Sequence, residues 1–167
     1  MSSPELSNQT YLEGLLLAYE GEIGGEEYFK TMATIFTEPI QQEKMMLLAV
    51  VEQRTWMVLQ PLIERHNLTP RDHQTLQAWG NSWIDDRGHR NWQDLINSMV
   101  SRYPAYILKF KSLETICPDE DKTAIRALVE HEVVLLDFAG HEQAGNTDSL
   151  ARVHSFLEEH SSLGAAL

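Results

Sequence analysis

Apolar side chains recur along most of the chain at steps of three and four residues, which places them on one face of an α-helix. Four long segments show this pattern, and no strand-like alternation competes with it. The segments span residues 10–36, 39–66, 92–116 and 118–145. The sequence therefore predicts an all-α fold with four long amphipathic helices.

Residues with known capping chemistry mark several helix boundaries. Thr10 and Glu13 have the Thr-x-x-Glu spacing of a capping box, so the first helix is predicted to begin at Thr10. Pro39 suits the first turn of the second helix because it has no N–H to leave unpaired. Pro61 predicts a kink or an early stop near the end of that helix, and Pro104 predicts a local bend in the third.

Two shorter helical segments complete the pattern. One follows a cap-like Asp72 in the long connection and ends near residues 87–88, and the other spans residues 148–159. Four long helices joined by one long crossover that contains a short helix are typical of four-helix bundles. We therefore expect residues 1–167 to form a single helical-bundle domain with a short C-terminal helix.

The charge balance narrows the range of partners. Asp and Glu number 25 against 13 Lys and Arg, and the resulting net charge of −12 repels phosphate backbones and anionic lipid head groups. The sequence thus predicts no nucleic-acid and no membrane partner. No signal-peptide pattern and no membrane-spanning apolar run is found, and Cys117 has no second cysteine to pair with. These features favour a cytoplasmic location.

Carboxylates interrupt three of the apolar helix faces. Glu22, Glu52 and Glu132 fall on the inward stripes of the first, second and fourth long helices. His131 flanks Glu132 and points either into the bundle or along an adjacent seam. An ionised carboxylate without a partner is costly outside water, or becomes neutral through a shifted pKa, so three of them need compensation. A metal ion would provide it, as would Arg or Lys side chains, water or protonation.

The first-helix run LLLAYEGEIGGEEYFKTMA resembles the ferritin-like superfamily, and rubrerythrin-like members in particular. The resemblance places Glu22 at the family's first-helix metal-ligating Glu. In its second and fourth helices the family uses Glu-x-x-His. Glu52 and Glu132 match those glutamates, whereas Thr55 and Leu135 stand where the histidines would be. The third helix offers no carboxylate on its inward line.

The resemblance implies a ferritin-like four-helix bundle with an incomplete carboxylate metal site. Its candidate metal ligands are Glu22, Glu52, Glu132 and His131, and its cofactor is iron or another divalent metal. The implied function is that of a non-haem iron oxidase or oxygenase, or of an iron-binding protein. Analogy with similar bundles further implies a homodimer.

Two alternatives remain open from the residues alone. One is a metal-free helical bundle that binds a small molecule or another protein, with its inward carboxylates neutralised by Arg54, Arg102 or protonation. The other is a different all-α architecture, such as a haem-oxygenase-like bundle with a cavity between its helices. Nothing in the sequence selects the small-molecule ligand.

Two adjacent glycines, Gly24 and Gly25, lie inside the first helix beside Glu22. Each costs a helix about 1 kcal/mol relative to Ala, so a packing or functional reason is expected. The glycines predict either the close approach of a neighbouring helix or a local widening of the first helix. Trp79, Trp83 and Trp92 cluster around the long connection, where large aromatic residues are usually core.

Overall fold

A computed structural model of the protein describes residues 4–87 and 91–161. Within these ranges the chain forms six α-helices and one 3₁₀ turn, and no strand occurs among them, so the all-α prediction is confirmed. The elements in chain order are α1 Pro4–Ile35, α2 Pro39–Arg65, α3 His73–Arg87, α4 Trp92–Ile116, a 3₁₀ turn Asp119–Asp121, α5 Lys122–Gln143 and α6 Ala151–Glu159.

The start of α1 lies six residues before the predicted start, so the capping-box assignment is wrong. Thr10 is already inside the helix, and its hydroxyl donates a hydrogen bond to the carbonyl of Leu6 at 2.9 Å. Pro4 occupies the first turn, where its missing N–H is no loss. Because residues 5–9 contain no helix breaker, the helix extends back to Pro4.

The other predicted helix boundaries agree more closely with the structure. α2 and α4 have the expected ends to within one residue, but α2 continues through Pro61 and does not stop there. Asp72 caps α3, because its carboxylate accepts a hydrogen bond from the backbone N–H of Thr75 at 3.0 Å. The predicted stop at residue 88 lies outside the described residues. α5 begins later than expected because residues 119–121 form a 3₁₀ turn, and a turn likewise delays α6 to Ala151.

The long helices pack mainly in two pairs, α1 with α2 and α4 with α5. α2 also contacts α5, α3 lies against α1, and α6 lies against α5 and α2. Two apolar clusters fill the interior. The Leu15 cluster includes Tyr11, Leu15, Leu59, Ile125 and Leu128. The Phe29 cluster includes Phe29, Met45, Leu48, Met99 and Phe138.

α1 and α3 touch through a pair of glycines. A Cβ on Gly80 would lie only 2.1 Å from the carbonyl oxygen of Gly24, a distance that no side chain tolerates. The expected close approach is therefore confirmed for Gly24. The alternative of a widened helix is wrong, because α1 stays α-helical across both glycines.

A buried carboxylate joins α1 and α2 to the turn before α5. Asp121 is fully buried and accepts hydrogen bonds from the Tyr11 hydroxyl and from Arg65, each at 2.6 Å. The Nε2 atom of His66 lies at the same distance from it. Because this one carboxylate contacts Tyr11 of α1, Arg65 of α2 and His66 directly after α2, it helps to fix the position of α5 relative to both helices. None of the helices in the described ranges is both long and apolar enough to cross a membrane.

Candidate metal centre

Four buried polar side chains lie where the two apolar clusters meet. On α2, Glu52 directly follows Val51, the last residue of that helix in the Phe29 cluster. On α5, His131 and Glu132 separate the residues of the two clusters, and Glu22 lies on α1 close to the same boundary. Each of these four residues is at most 6% exposed. The helices thus bring together ionisable groups that are far apart in the sequence.

Glu22, Glu52 and His131 form a compact group in which one potential ligand atom from each lies within 4.8 Å of the others. The His131 Nε2 atom is 2.8 Å from Glu22 Oε2 and 3.9 Å from Glu52 Oε2. Glu132 adjoins the group, since its Oε1 atom is 3.7 Å from the same nitrogen. Ligands that share one ion at about 2.0–2.2 Å lie roughly 3–3.5 Å apart, so small side-chain adjustments would suit a single ion.

The orientation of His131, which the sequence left open, is inward. Its Nδ1 atom is hydrogen-bonded to the backbone carbonyl of Leu128. A carbonyl oxygen only accepts hydrogen bonds, so Nδ1 carries the proton and the neutral ring has its lone pair on Nε2. Metal-binding histidines are held in the same way, with the distal N–H donated to a carbonyl or carboxylate. The Phe110 ring packs beside the imidazole, with 6.2 Å between ring centroids.

Three buried atoms of this group lack a hydrogen-bond partner when the carboxylates are ionised. They are Glu22 Oε2, His131 Nε2 and Glu132 Oε2. With the proton on Nδ1, the Nε2 atom of His131 has no hydrogen to donate to Glu22 Oε2 at 2.8 Å, so two electron-pair donors face each other while Glu22 is ionised. Unpaired buried polar atoms are rare and cost about 1–3 kcal/mol each. A divalent cation would accept electron pairs from Glu22 Oε2 and His131 Nε2, which belong with Glu52 to the compact group, so these residues fit a metal ion.

Gly25 makes room for Glu52 on α1. A Cβ at Gly25 would lie 2.7 Å from Glu52 Oε2, closer than any real side chain allows. The Glu52 carboxylate therefore lies directly against the backbone of α1. This contact explains why residue 25 is a glycine, whereas Gly24 allows the close approach of α3.

Burial dominates the protonation of the carboxyl groups. It raises the pKa of Glu22 and Glu52 well above the ordinary value, and repulsion between neighbouring carboxylates raises both further. A proton shared between these two groups adds to the rise in the pKa of Glu52 and offsets part of the rise at Glu22. Burial raises the pKa of Glu132 to about 7, against the opposing influence of His131. Without a cation, the cluster retains protons near neutral pH, and a metal ion would displace them.

The arginines predicted to neutralise these carboxylates do not do so. Arg102 is exposed, Arg54 is half-buried, and neither forms an ion pair with the three glutamates in the part of the chain that the structure describes. The arginine whose charge influences Glu132 is Arg87, at the end of α3, and it lowers the pKa of that glutamate. Arg87 belongs to the connecting segment, and nothing in its local pattern indicated this role.

α4 contributes phenols and no carboxylate, as its inward pattern predicts. Tyr103 is buried, and burial raises its pKa further above the ordinary value, as do the charges of Glu132 and Glu52. Its hydroxyl therefore keeps its proton beside the carboxylates. Tyr106 lies next to it, with 5.7 Å between the ring centroids.

A cavity of about 340 Å³ opens onto the carboxylates. Glu22, Glu52 and Glu132 lie on its wall together with Tyr103, while Trp79 and Trp83 of α3 cover it from the side. The two tryptophans therefore border a pocket as well as packing against the core, a role that helical spacing alone does not reveal. The cavity connects the candidate metal centre with the protein surface.

Comparison with known proteins yields no match to this chain, whether among protein-family models, curated proteins or solved structures.

Proposed function

We propose that this chain is a ferritin-like protein that binds one divalent metal ion, iron foremost, through Glu22, Glu52 and His131. Glu132 is the nearest further carboxylate and completes the charge around the ion. The observation that carries this proposal is that two unpaired buried atoms, Glu22 Oε2 and His131 Nε2, lie 2.8 Å apart beside Glu52, with the imidazole oriented by the Leu128 carbonyl. Carboxylate oxygens and imidazole nitrogen together suit iron, zinc and manganese.

The arrangement of the long helices supports the ferritin-like part of the proposal. α1, α2 and α5 each contribute to the cluster, and α4 covers it with tyrosines. Glu22 and Glu52 occupy the positions that the resemblance assigned to ligands. The departure from the family pattern lies on α5, where the histidine is His131, directly before Glu132, and not the residue three positions after it.

The surroundings of the cluster suit a reaction shielded from water. When bound, iron supplies oxygen-dependent oxidation, the reaction class that the resemblance implies. On the sides away from the cavity, the two apolar clusters exclude water from the carboxylates. The Tyr103 hydroxyl, which keeps its proton, can donate a hydrogen bond into the cavity beside them.

A metal-free protein that binds a small molecule is the second candidate, and the cavity favours it. In that case protonation alone neutralises the carboxyl groups. Replacing Glu52 by Gln would then leave stability unchanged or improved, because a neutral isostere removes the desolvation cost of the charge.

The decisive experiment is a titration with Co²⁺ and, under anaerobic conditions, Fe²⁺, followed by metal analysis and by the visible absorption of bound Co²⁺. We expect one ion per chain in the unmodified protein and loss of binding in Glu22→Gln and His131→Gln. Glu26→Gln is the matched control. Glu26 is also a buried carboxylate on α1, but it accepts a hydrogen bond from Trp56 Nε1 at 2.7 Å and pairs with Lys30.

Two results would contradict the metal proposal. The first is no stoichiometric binding of either ion by protein with a native circular dichroism spectrum. The second is binding that Glu26→Gln weakens as much as Glu22→Gln does, since this would indicate adsorption to acidic groups in general.

A further inference from the structure

The cavity beside the carboxylates has acidic residues on its buried floor and basic residues at its open mouth. Glu22, Glu52 and Glu132 lie on its floor and are almost completely buried. At the mouth are Lys109, which is exposed, and Arg87, which is half-buried. A molecule that enters therefore meets positive charge first and carboxyl groups last.

The wall between the mouth and the floor is mainly apolar and aromatic. It includes Phe29, Phe110, Trp79 and Trp83. The volume of about 340 Å³ lies at the small end of the range of roughly 300–1,000 Å³ typical of ligand pockets. The cavity thus suits a small molecule whose body is apolar.

Arg87 is held in place without a carboxylate partner. Its guanidinium carbon lies 5.0 Å from the ring centroid of Tyr28 and 5.0 Å from that of Trp83. No carboxylate in residues 4–87 or 91–161 forms an ion pair with Arg87. Arg87 also donates a hydrogen bond to the Tyr28 hydroxyl, and because a guanidinium has five N–H groups, the others can pair with a planar anion. Lys109, on α4, likewise has no ion-pair partner in those residues.

We propose that the cavity binds a small carboxylic acid with an apolar body, whose carboxylate pairs with Arg87 and Lys109 at the mouth. The body of the ligand extends along Trp83 and Phe110 toward Glu22 and Glu52. The reverse orientation is disfavoured because it would place the carboxylate of the ligand among three glutamates. This inference deepens the proposed metal function and rests on it for one point, namely that the far end of the ligand lies beside the ion.

The test compares three probes of equal chain length, octanoate, 1-octanol and octylamine, by titration calorimetry and by tryptophan fluorescence. Trp79 and Trp83 line the cavity, so occupancy changes their emission. We expect octanoate to bind at least about tenfold more tightly than 1-octanol, because only the carboxylate of octanoate can form a charge-assisted hydrogen bond with Arg87. Equal or tighter binding of 1-octanol or octylamine would overturn the proposal.

Three variants locate the bound molecule. Arg87→Gln is expected to weaken octanoate about tenfold or more and to change 1-octanol little. Arg54→Gln is the matched control, because Arg54 is also half-buried but does not line the cavity. Gly21 lines the cavity, and a Cβ on it would have no neighbour within 4 Å, so Gly21→Leu is expected to fill the space and weaken octanoate and 1-octanol alike. Unchanged octanoate affinity in both Arg87→Gln and Gly21→Leu would refute this site.

The titrations are made with chelator-treated protein and with Co²⁺-loaded protein, so that the two proposals can fail separately. Octanoate binding to chelator-treated protein that does not take up Co²⁺ supports the ligand class and refutes the metal function. Co²⁺ uptake without octanoate binding supports the metal function and refutes the ligand class. When both bind, octanoate is expected to alter the visible spectrum of bound Co²⁺, and an unaltered spectrum would contradict the placement of the ligand's far end beside the ion.

Discussion

The most direct test of the buried carboxylates is the pH dependence of stability in chelator-treated protein. Burial raises the pKa of Glu132 from 4.5 to about 7, so the folded state holds a proton that the unfolded chain releases at lower pH. This group therefore favours folding below pH 4.5, and its contribution is lost as the pH rises through 7. Because one pKa unit corresponds to about 1.4 kcal/mol, ionising Glu132 in the folded protein costs roughly 3 kcal/mol.

Replacing Glu132 by Gln removes this cost. At pH 8 we expect the free energy of unfolding of Glu132→Gln to exceed that of the unmodified protein by up to about 3 kcal/mol, and at pH 5 we expect a much smaller difference. For a domain of this size the gain corresponds to a rise in Tm of roughly 6–12 °C. Urea denaturation at both pH values in the presence of chelator measures the difference.

Glu130→Gln provides the control for this comparison. Glu130 lies on the same helix but is about half exposed, and it pairs with Arg152 at 3.0 Å. Its replacement is expected to change stability by less than about 0.5 kcal/mol at either pH. A Glu132→Gln variant that is less stable than the unmodified protein at pH 8 would refute the reasoning, since it would show that ionised Glu132 is well compensated without a metal ion.

Three further predictions follow from particular contacts. Gly25→Ala is expected to displace the Glu52 carboxylate, because the new Cβ would lie 2.7 Å from it, and so to weaken Co²⁺ binding about tenfold. Gly140→Ala is the control, because its new Cβ would have no neighbour within 4 Å and should leave Co²⁺ binding unchanged. Equal effects of the two substitutions would argue against the contact between Gly25 and Glu52. Asp121→Ala is expected to lower the free energy of unfolding by about 1–3 kcal/mol because it leaves the buried Tyr11 hydroxyl without its hydrogen-bond acceptor. A comparable loss in Asp119→Ala, whose carboxylate is exposed, would contradict that account. A free ion at 100 times its Kd stabilises the folded protein by about 2.7 kcal/mol, so its removal with a chelator should lower Tm by roughly 5–10 °C. Calorimetry in which Tm does not depend on the ion would contradict specific binding.

Much of the helical architecture could be predicted from the residues alone. The bounds of α2 and α4 follow from apolar periodicity together with Pro39 at a first helical turn and a polar break before Trp92. The first turns of α1 were missed because Thr10 and Glu13 have the spacing of a cap, whereas the helix begins at Pro4. A local motif shows which hydrogen bonds are available, and only the fold shows which are formed.

The candidate site, too, could be predicted from the sequence only in part. Periodicity placed Glu22, Glu52 and Glu132 on inward faces, because each of these carboxylates interrupts a stripe of its own helix. The inward orientation of His131 could not be predicted, since its position on α5 lies at the edge of that stripe. The capture of its Nδ1–H by the Leu128 carbonyl decides which way the ring points.

The sequence by itself therefore determined the helical class, the approximate helix bounds and the three buried carboxylates. The tertiary structure decided which groups meet these carboxylates, namely the His131 lone pair, the bare backbone of Gly25 and the charge of Arg87 at the cavity mouth. The physical reason is that apolar periodicity specifies one face of one helix. The separation of two charged atoms depends on how different helices cross, and here that crossing is set by the close contact of Gly24 with Gly80 and by the packing of two apolar clusters.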